Sequence, residues 1–206
     1  MTGSQIGGSL KVAKLADDAP SFEKVNVRSG RHAWRTNASS RYPNGDRAAE
    51  VSRAVARHID KSGLFQSVVY PDDGTKADYK LTGRIYDYNA MGKVNKRAEN
   101  ILVLGSMFGS FPGAAAGLAG TIGQKTTLQS NVELRDLKIR SQKTNRLLWS
   151  NPSIKRSSNR EVHFLKADKK PVYKEADRQL KNVVSEMIDD IQESHKKNPT
   201  AWKLRK

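Results

Sequence analysis

Apolar positions recur at two periods along this chain, and the two periods separate helices from strands. Between residues 47 and 62, Val51, Val55 and Ile59 return every four residues with Ala48 and Ala54 beside them. That is one face of a helix. Asp46 stands where an N-cap is wanted, and Gly63 followed by Leu64 stands where a helix ends. A second helix opens at Pro171. Its stripe of Val172, Ala176, Leu180, Val183, Val184, Met187, Ile188 and Ile191 runs to about His195. Elsewhere the period is two. Residues 9–15 alternate at Leu10, Val12 and Leu15, and residues 65–70 (FQSVVY) read as a strand. Residues 71–77 carry turn chemistry. Residues 78–89 then place Tyr79, Leu81 and Ile85 on one face and Lys80, Thr82, Arg84, Tyr86 and Tyr88 on the other. A long strand follows over 126–140, with an inward phase that switches near Leu134–Leu137, as a β-bulge requires. LLWS (147–150) pairs back on it as a hairpin.

The stretches between are less regular. Residues 16–45 are polar and irregular, with a short strand near Phe22–Val27 and Trp34 as an isolated packing anchor. Residues 151–170 are polar apart from EVHFL at 161–165. The resulting order is β–α–β–β–insertion–β–β–α. Two one-faced helices and alternating strands predict an α+β two-layer sandwich, a mainly antiparallel sheet with both helices on one face. One domain over 9–195 is expected, behind a flexible tether at 1–8 and ahead of a mobile basic tail at 196–206.

The insertion departs from everything around it. Residues 101–123, ILVLGSMFGSFPGAAAGLAGTIG, hold no charge in a chain that is 28% charged. Gly105, Gly109, Gly113 and Gly117 stand four residues apart, and Gly120 and Gly123 follow. On a helix the first four make a groove without side chains, into which another backbone can press. Six glycines in a helix interior cost roughly 5 kcal/mol relative to alanine, so close packing must offset them. A straight helix of this length would be about 34 Å long, enough to span a bilayer core. Pro112 interrupts that span, and two short helical arms meeting near Phe111–Pro112–Gly113 fit better. The expected contact is a membrane or a second protomer. The alternative is a Gly/Ala-rich loop laid on the domain surface.

Charge narrows the partners. Lys and Arg number 37 against 21 Asp and Glu, a formal +16, which calls for anionic partners: lipid head groups, envelope polymer or nucleic acid. Nine basic residues lie between 125 and 160 against only Glu133 and Asp136. Lys125, Arg135, Lys138, Arg140, Lys143, Arg146, Lys155 and Arg156, with Arg160 after them, are the candidates for anionic-surface binding; the alternative is a solvated charged face. The chain has no cysteine, which excludes a disulfide framework and Cys-ligated metal. Its start, MTGSQIGGSLK, has no apolar core of a signal peptide. It reads either as the small, polar tether of a mature lipoprotein, with the lipidated cysteine at or just before position 1, or as an ordinary cytosolic N-terminus.

The helix ending in SGLFQSVVY, the polar turn, the strand ADYKLTGRIYDY, the hairpin LKIRSQKTNRLLWS and the closing amphipathic helix together resemble bacterial envelope lipoproteins of the LpoB, CsgG and TolB N-terminal type. The Gly/Ala-rich segment between strands is similar to that of TraT-like outer-membrane lipoproteins. The resemblance covers about residues 9–195 and implies an outer-membrane-associated protein on the periplasmic face. The lipid-bearing cysteine of such proteins is absent from the sequence.

Chemistry points the same way. GLAGTIGQKT (117–126) misses the phosphate-binding loop, because Gln124 separates the glycine from Lys125 and a strand pattern comes next. His32, His58, His163 and His195 have no metal-ligand spacing. Asp72–Asp73 read as a turn, and Asp189–Asp190 as solvent-facing. No nucleophile elbow is present. The expectation is a non-enzymatic envelope protein without metal or cofactor, an accessory or assembly subunit of a transport, secretion or surface-structure system. The first alternative is a ring- or pore-forming subunit joined through the glycines. The second is a cytosolic nucleic-acid-binding protein, although no recognition helix, RNP or zinc signature is present.

Overall fold

A computed structural model describes residues 5–20, 46–70, 74–94, 125–163 and 170–202. The described elements are β1 (Ile6–Val12), β2 (Ala16–Asp17), α1 (Arg47–Ser62), β3 (Phe65–Val69), β4 (Tyr79–Val94), β5 (Lys125–Ser141), β6 (Leu147–His163), α2 (Lys170–Lys197) and a 3-10 turn (Pro199–Trp202). The strands form one six-stranded sheet in the order β3-β1-β4-β5-β6, with β2 also on β4. Both helices contribute to one apolar core against the sheet, which gives the α+β two-layer arrangement. The glycine insertion, Phe22–Val27 and Trp34 lie outside the described residues.

The sheet is mainly antiparallel, as expected, with short parallel ladders on the β1 side. β4, β5 and β6 form a long antiparallel run. β1 is parallel to both β3 and β4, and β2 is parallel to β4. A parallel pair needs a crossover, and α1 supplies it between β1 and β3. Alternation in sequence identifies a strand but carries no direction of pairing.

α1 starts and stops near the expected places, with one difference. Gly63 takes a left-handed φ of 66° and its N–H donates to the Asp60 carbonyl, 3.0 Å. Asp46 makes no side-chain cap. Its carbonyl accepts the Glu50 N–H, and its exposed carboxylate stands 3.8 Å from Lys14 Nζ. The helix is instead fastened by Arg47, whose guanidinium grips Asp17 through Nε and Nη2 and the Ala19 carbonyl through Nη2. A bidentate pair of this kind also fixes geometry. Ser52 is buried: its hydroxyl donates to the Ala48 carbonyl and accepts the Leu15 N–H, which ties β1's exit to α1.

Bulges decide which side chains face the core. β5 buries Leu128, Val132 and Leu134, then Leu137 and Ile139, so the phase changes where Asp136 adopts a φ of 52°. That is the expected switch. β4 has register shifts between Thr82 and Arg84 and between Ile85 and Asp87. The second, where two steps along β4 answer one along β5, turns Tyr88 inward beside Ala90, against the simple alternation that placed it outside. β6 runs through Leu147–His163 and pairs with β5 along its whole length, so the stretch read as polar and irregular is a strand to residue 163.

Two further differences concern α2 and the turn after it. Asp190 is not free in solvent: its Oδ2 accepts from Trp149 Nε1 at 3.1 Å and Asn151 Nδ2 at 2.9 Å. The expected mobile tail is docked as far as Trp202. Trp202 is 3% exposed, its ring packs against Phe65, Tyr79 and His195, and its carbonyl accepts the Tyr79 hydroxyl at 2.7 Å.

Candidate functional site

The structure does not gather the basic residues of the β5–β6 hairpin into one surface. Paired positions of an antiparallel ladder share a face. Leu134 faces Ile154, Val132 faces Arg156 and Leu128 faces Arg160, so both arginines lie on the side covered by α2. There Arg156 pairs with Glu186 at 2.8 Å and Arg160 with Glu175 at 2.9 Å. The opposite, open face carries Arg135 and Lys155. Arg135 lies over the Tyr86 ring, 3.2 Å from its centroid, and bonds to Glu133. Lys155 stands across from the same Glu133.

Glu133 counters the two charges on the open face. Glu133 is buried, which by itself raises its pKa. Hydrogen bonds from Arg135 and Ser153, with the charges of Arg135 and Lys155, outweigh burial and hold it below the usual carboxylate range. Asp87, across β4 from Glu133, is shifted up, chiefly by burial, against the Asn131 hydrogen bond and Lys155 that pull it down. Arg135 and Lys155 thus share a buried acid, while Arg156 is countered by Glu186 in a pair that is nearly half exposed.

The remaining candidates collect at the turn. Lys143 and Arg146 are exposed on the tight turn after Ser141. Arg140 Nη1 donates to the Asn145 carbonyl at 3.0 Å, which holds its charge over the same turn. Lys138 is exposed just before them. Lys125 lies at the other end of β5, opposite His163 in register, and its side chain lies outside the described atoms. Gly105, Gly109, Phe111, Pro112, Gly113, Gly117 and Gly120 lie outside the described residues.

An open groove of about 460 Å³ runs beside this turn, between the start of β6 and the last turns of α2. Its carboxylates are engaged: Asp190 by Trp149 and Asn151, and Glu193 by Lys197 at 2.7 Å. Among the described residues no three His, Cys, Asp or Glu side chains are grouped to hold a metal ion, and no helix is long and apolar enough to cross a membrane.

Sequence reasoning missed Glu175. It is fully buried on α2, one position before Ala176 of the apolar stripe. Its Oε1 accepts from Ser158 Oγ, from Gln179 Nε2 at 3.0 Å and from Arg178 Nη2 at 2.9 Å. Its Oε2 stands 2.9 Å from Arg160 Nε, in an ion contact with no N–H aimed at it. The available signal was an acid interrupting an apolar helix face three residues from an arginine, with a second arginine on a polar strand.

No protein-family model matches the chain, and no curated protein matches it by sequence. Among solved structures, protein XCC0632 from Xanthomonas campestris, of the DUF330 family, is 14% identical with a TM-score of 0.45, over 97% of this chain and 92% of that one. A PelC dodecamer from Paraburkholderia phytofirmans is 9% identical with a TM-score of 0.39, over 92% and 91%. A minor lipoprotein from Acinetobacter baumannii is 10% identical with a TM-score of 0.30, over 92% of each chain. Likeness at this level carries no conclusion about activity or partners.

Proposed function

We propose that this protein is a non-enzymatic, outer-membrane-associated component of the bacterial envelope, an accessory or assembly subunit of a transport, secretion or surface-structure system. The observation that carries the reading is the register at the far end of the β4–β5 ladder. Val94 stands opposite Thr126, so the segment between the two strands begins and ends on neighbouring residues. A body built this way brings the two strands that flank the uncharged, glycine-repeated stretch together at one end of its sheet. The sequence of that stretch suits close helix contact in a membrane or with a second protomer, and it has no use in a cytosolic nucleic-acid binder.

The glycines supply the test. Leucine at Gly109 or Gly113 has the better helix propensity, by roughly 0.7–0.8 kcal/mol, but fills the groove. Gly109→Leu and Gly113→Leu are expected to abolish cross-linked oligomers in detergent, or membrane complementation, while the melting temperature of the body stays unchanged. Unchanged oligomers and unchanged melting in both variants would reject packing through this face. A collapse in melting temperature would show instead that the segment is packed onto the domain.

A further inference from the structure

We infer that the end of the molecule formed by the β5–β6 turn is the face turned toward an anionic lipid bilayer; this rests on the envelope reading. Three elements converge there. Tyr79, the first residue of β4, pairs with Ser141, the last of β5, so the turn closes this end of the ladder. β1 runs parallel to β4 with Leu10 opposite Tyr79, so Ile6 and Gln5 lie beyond Tyr79 at the same end. Trp202 is there as well: the Tyr79 hydroxyl donates to its carbonyl at 2.7 Å and stands 3.1 Å from the Gly7 carbonyl. Gln5 and Trp202, the first and last described residues, thus both lie at this end.

The chemistry of the end selects its partner. Lys138, Arg140, Lys143 and Arg146 lie on or beside the turn, and no Asp or Glu occurs between residues 137 and 160. Three carboxylates on neighbouring elements are engaged by groups of the fold itself. Asp78 accepts the N–H and hydroxyl of Ser9 at 2.7 and 2.9 Å, Asp190 holds Trp149 and Asn151, and Glu193 holds Lys197. Leu147 comes directly after Arg146 and is 43% exposed. A soluble polyanion gains nothing from an exposed leucine among cations. A bilayer does, because head groups meet the charges and the acyl boundary takes the leucine. The opposite end of the ladder, at Val94 and Thr126, is about 50 Å away at the strand rise of roughly 3.3 Å per residue.

Vesicle sedimentation of the full chain tests this. The chain is expected to bind phosphatidylglycerol/phosphatidylcholine vesicles, to bind pure phosphatidylcholine weakly, and to release as salt rises. The double variant Lys143→Glu/Arg146→Glu should lower partitioning by about 100-fold or more at low salt, with unchanged melting. Leu147→Asn should weaken binding to vesicles and leave binding to polyphosphate unchanged. Lys174→Glu, half that charge change on an exposed early turn of α2, should bind about as tightly as wild type. Wild-type binding by the double variant, or an equal loss in Lys174→Glu, overturns the inference. Tight binding to polyphosphate or duplex DNA with none to vesicles also overturns it. If the envelope reading itself fails, the chain fractionates with the cytosol whatever the vesicles show. If only the orientation fails, the chain stays in the envelope fraction and the double variant binds as wild type.

Discussion

Trp202→Ala is expected to be among the most destabilising single substitutions in the described chain. The residue lies beyond α2, in a stretch that composition alone reads as a tail. Its ring is 5.7 Å from Tyr79, 6.4 Å from Phe65 and 6.0 Å from His195, centroid to centroid. These residues belong to β4, β3 and α2, so the indole closes the end of the core where three elements meet. Truncating a buried aromatic costs about 3–5 kcal/mol through lost transfer and the cavity left behind. Trp202→Phe separates packing from polarity. Among the described residues the indole N–H has no hydrogen-bond partner, so phenylalanine loses volume but no bond and should cost clearly less than alanine. Urea unfolding of the two variants measures the difference. Equal and small losses would mean that the turn Pro199–Trp202 does not contribute to the core.

Removing the buried carboxylate of Glu175 has the second-largest expected effect, and its pH dependence distinguishes it from simple packing loss. Glu175→Ala strips the shared acceptor from Ser158 and Gln179 and leaves Arg160 and Arg178 without their counter-charge. Breaking a buried pair costs about 3–5 kcal/mol, and here both arginines are nearly half exposed and recover water, so about 2–3 kcal/mol is expected. Burial raises the Glu175 pKa. The bonds from Ser158 and Gln179 and the charges of Arg160 and Arg178 lower it more, so the net shift is down. A depressed folded-state pKa stabilises the fold fully above the unfolded carboxylate value of about 4.3. That contribution is lost as pH falls through the folded value. The melting difference between wild type and Glu175→Gln should be constant at neutral pH and shrink below about pH 4. A difference that does not change with pH would assign the effect to shape rather than charge.

Glu175 also marks where the sequence stops being readable. The stripe of α2 was legible, because eight apolar residues at helical spacing leave one solution and all eight are buried. α1 was legible from its valines and from Gly63. The phase switch of β5 was legible because Leu134 and Leu137 break alternation by one residue. β6 was not. Its covered face is closed by Arg156 and Arg160 reaching to α2, and long charged side chains used this way look like solvent-facing residues in a sequence. Tyr88 failed for a related reason. One extra residue in β4, between Ile85 and Asp87, shifts the phase, and no glycine or proline stands there to announce it. The parallel pairing of β1 depends on the crossover through α1, which no local pattern encodes. Of the candidate anionic set, the sequence could count charges but could not tell Lys143 and Arg146 at the turn from Arg135, Lys155 and Arg156 beside their acids.

Fractionation of cells that express the chain from its own gene, with its natural upstream sequence, tests the envelope assignment most directly. The account predicts that the protein sediments with the membranes and is extracted by detergent, and that the upstream sequence encodes a signal peptide ending in a cysteine. A protein found in the cytosolic fraction, translated from Met1 with no apolar stretch before it, would contradict it.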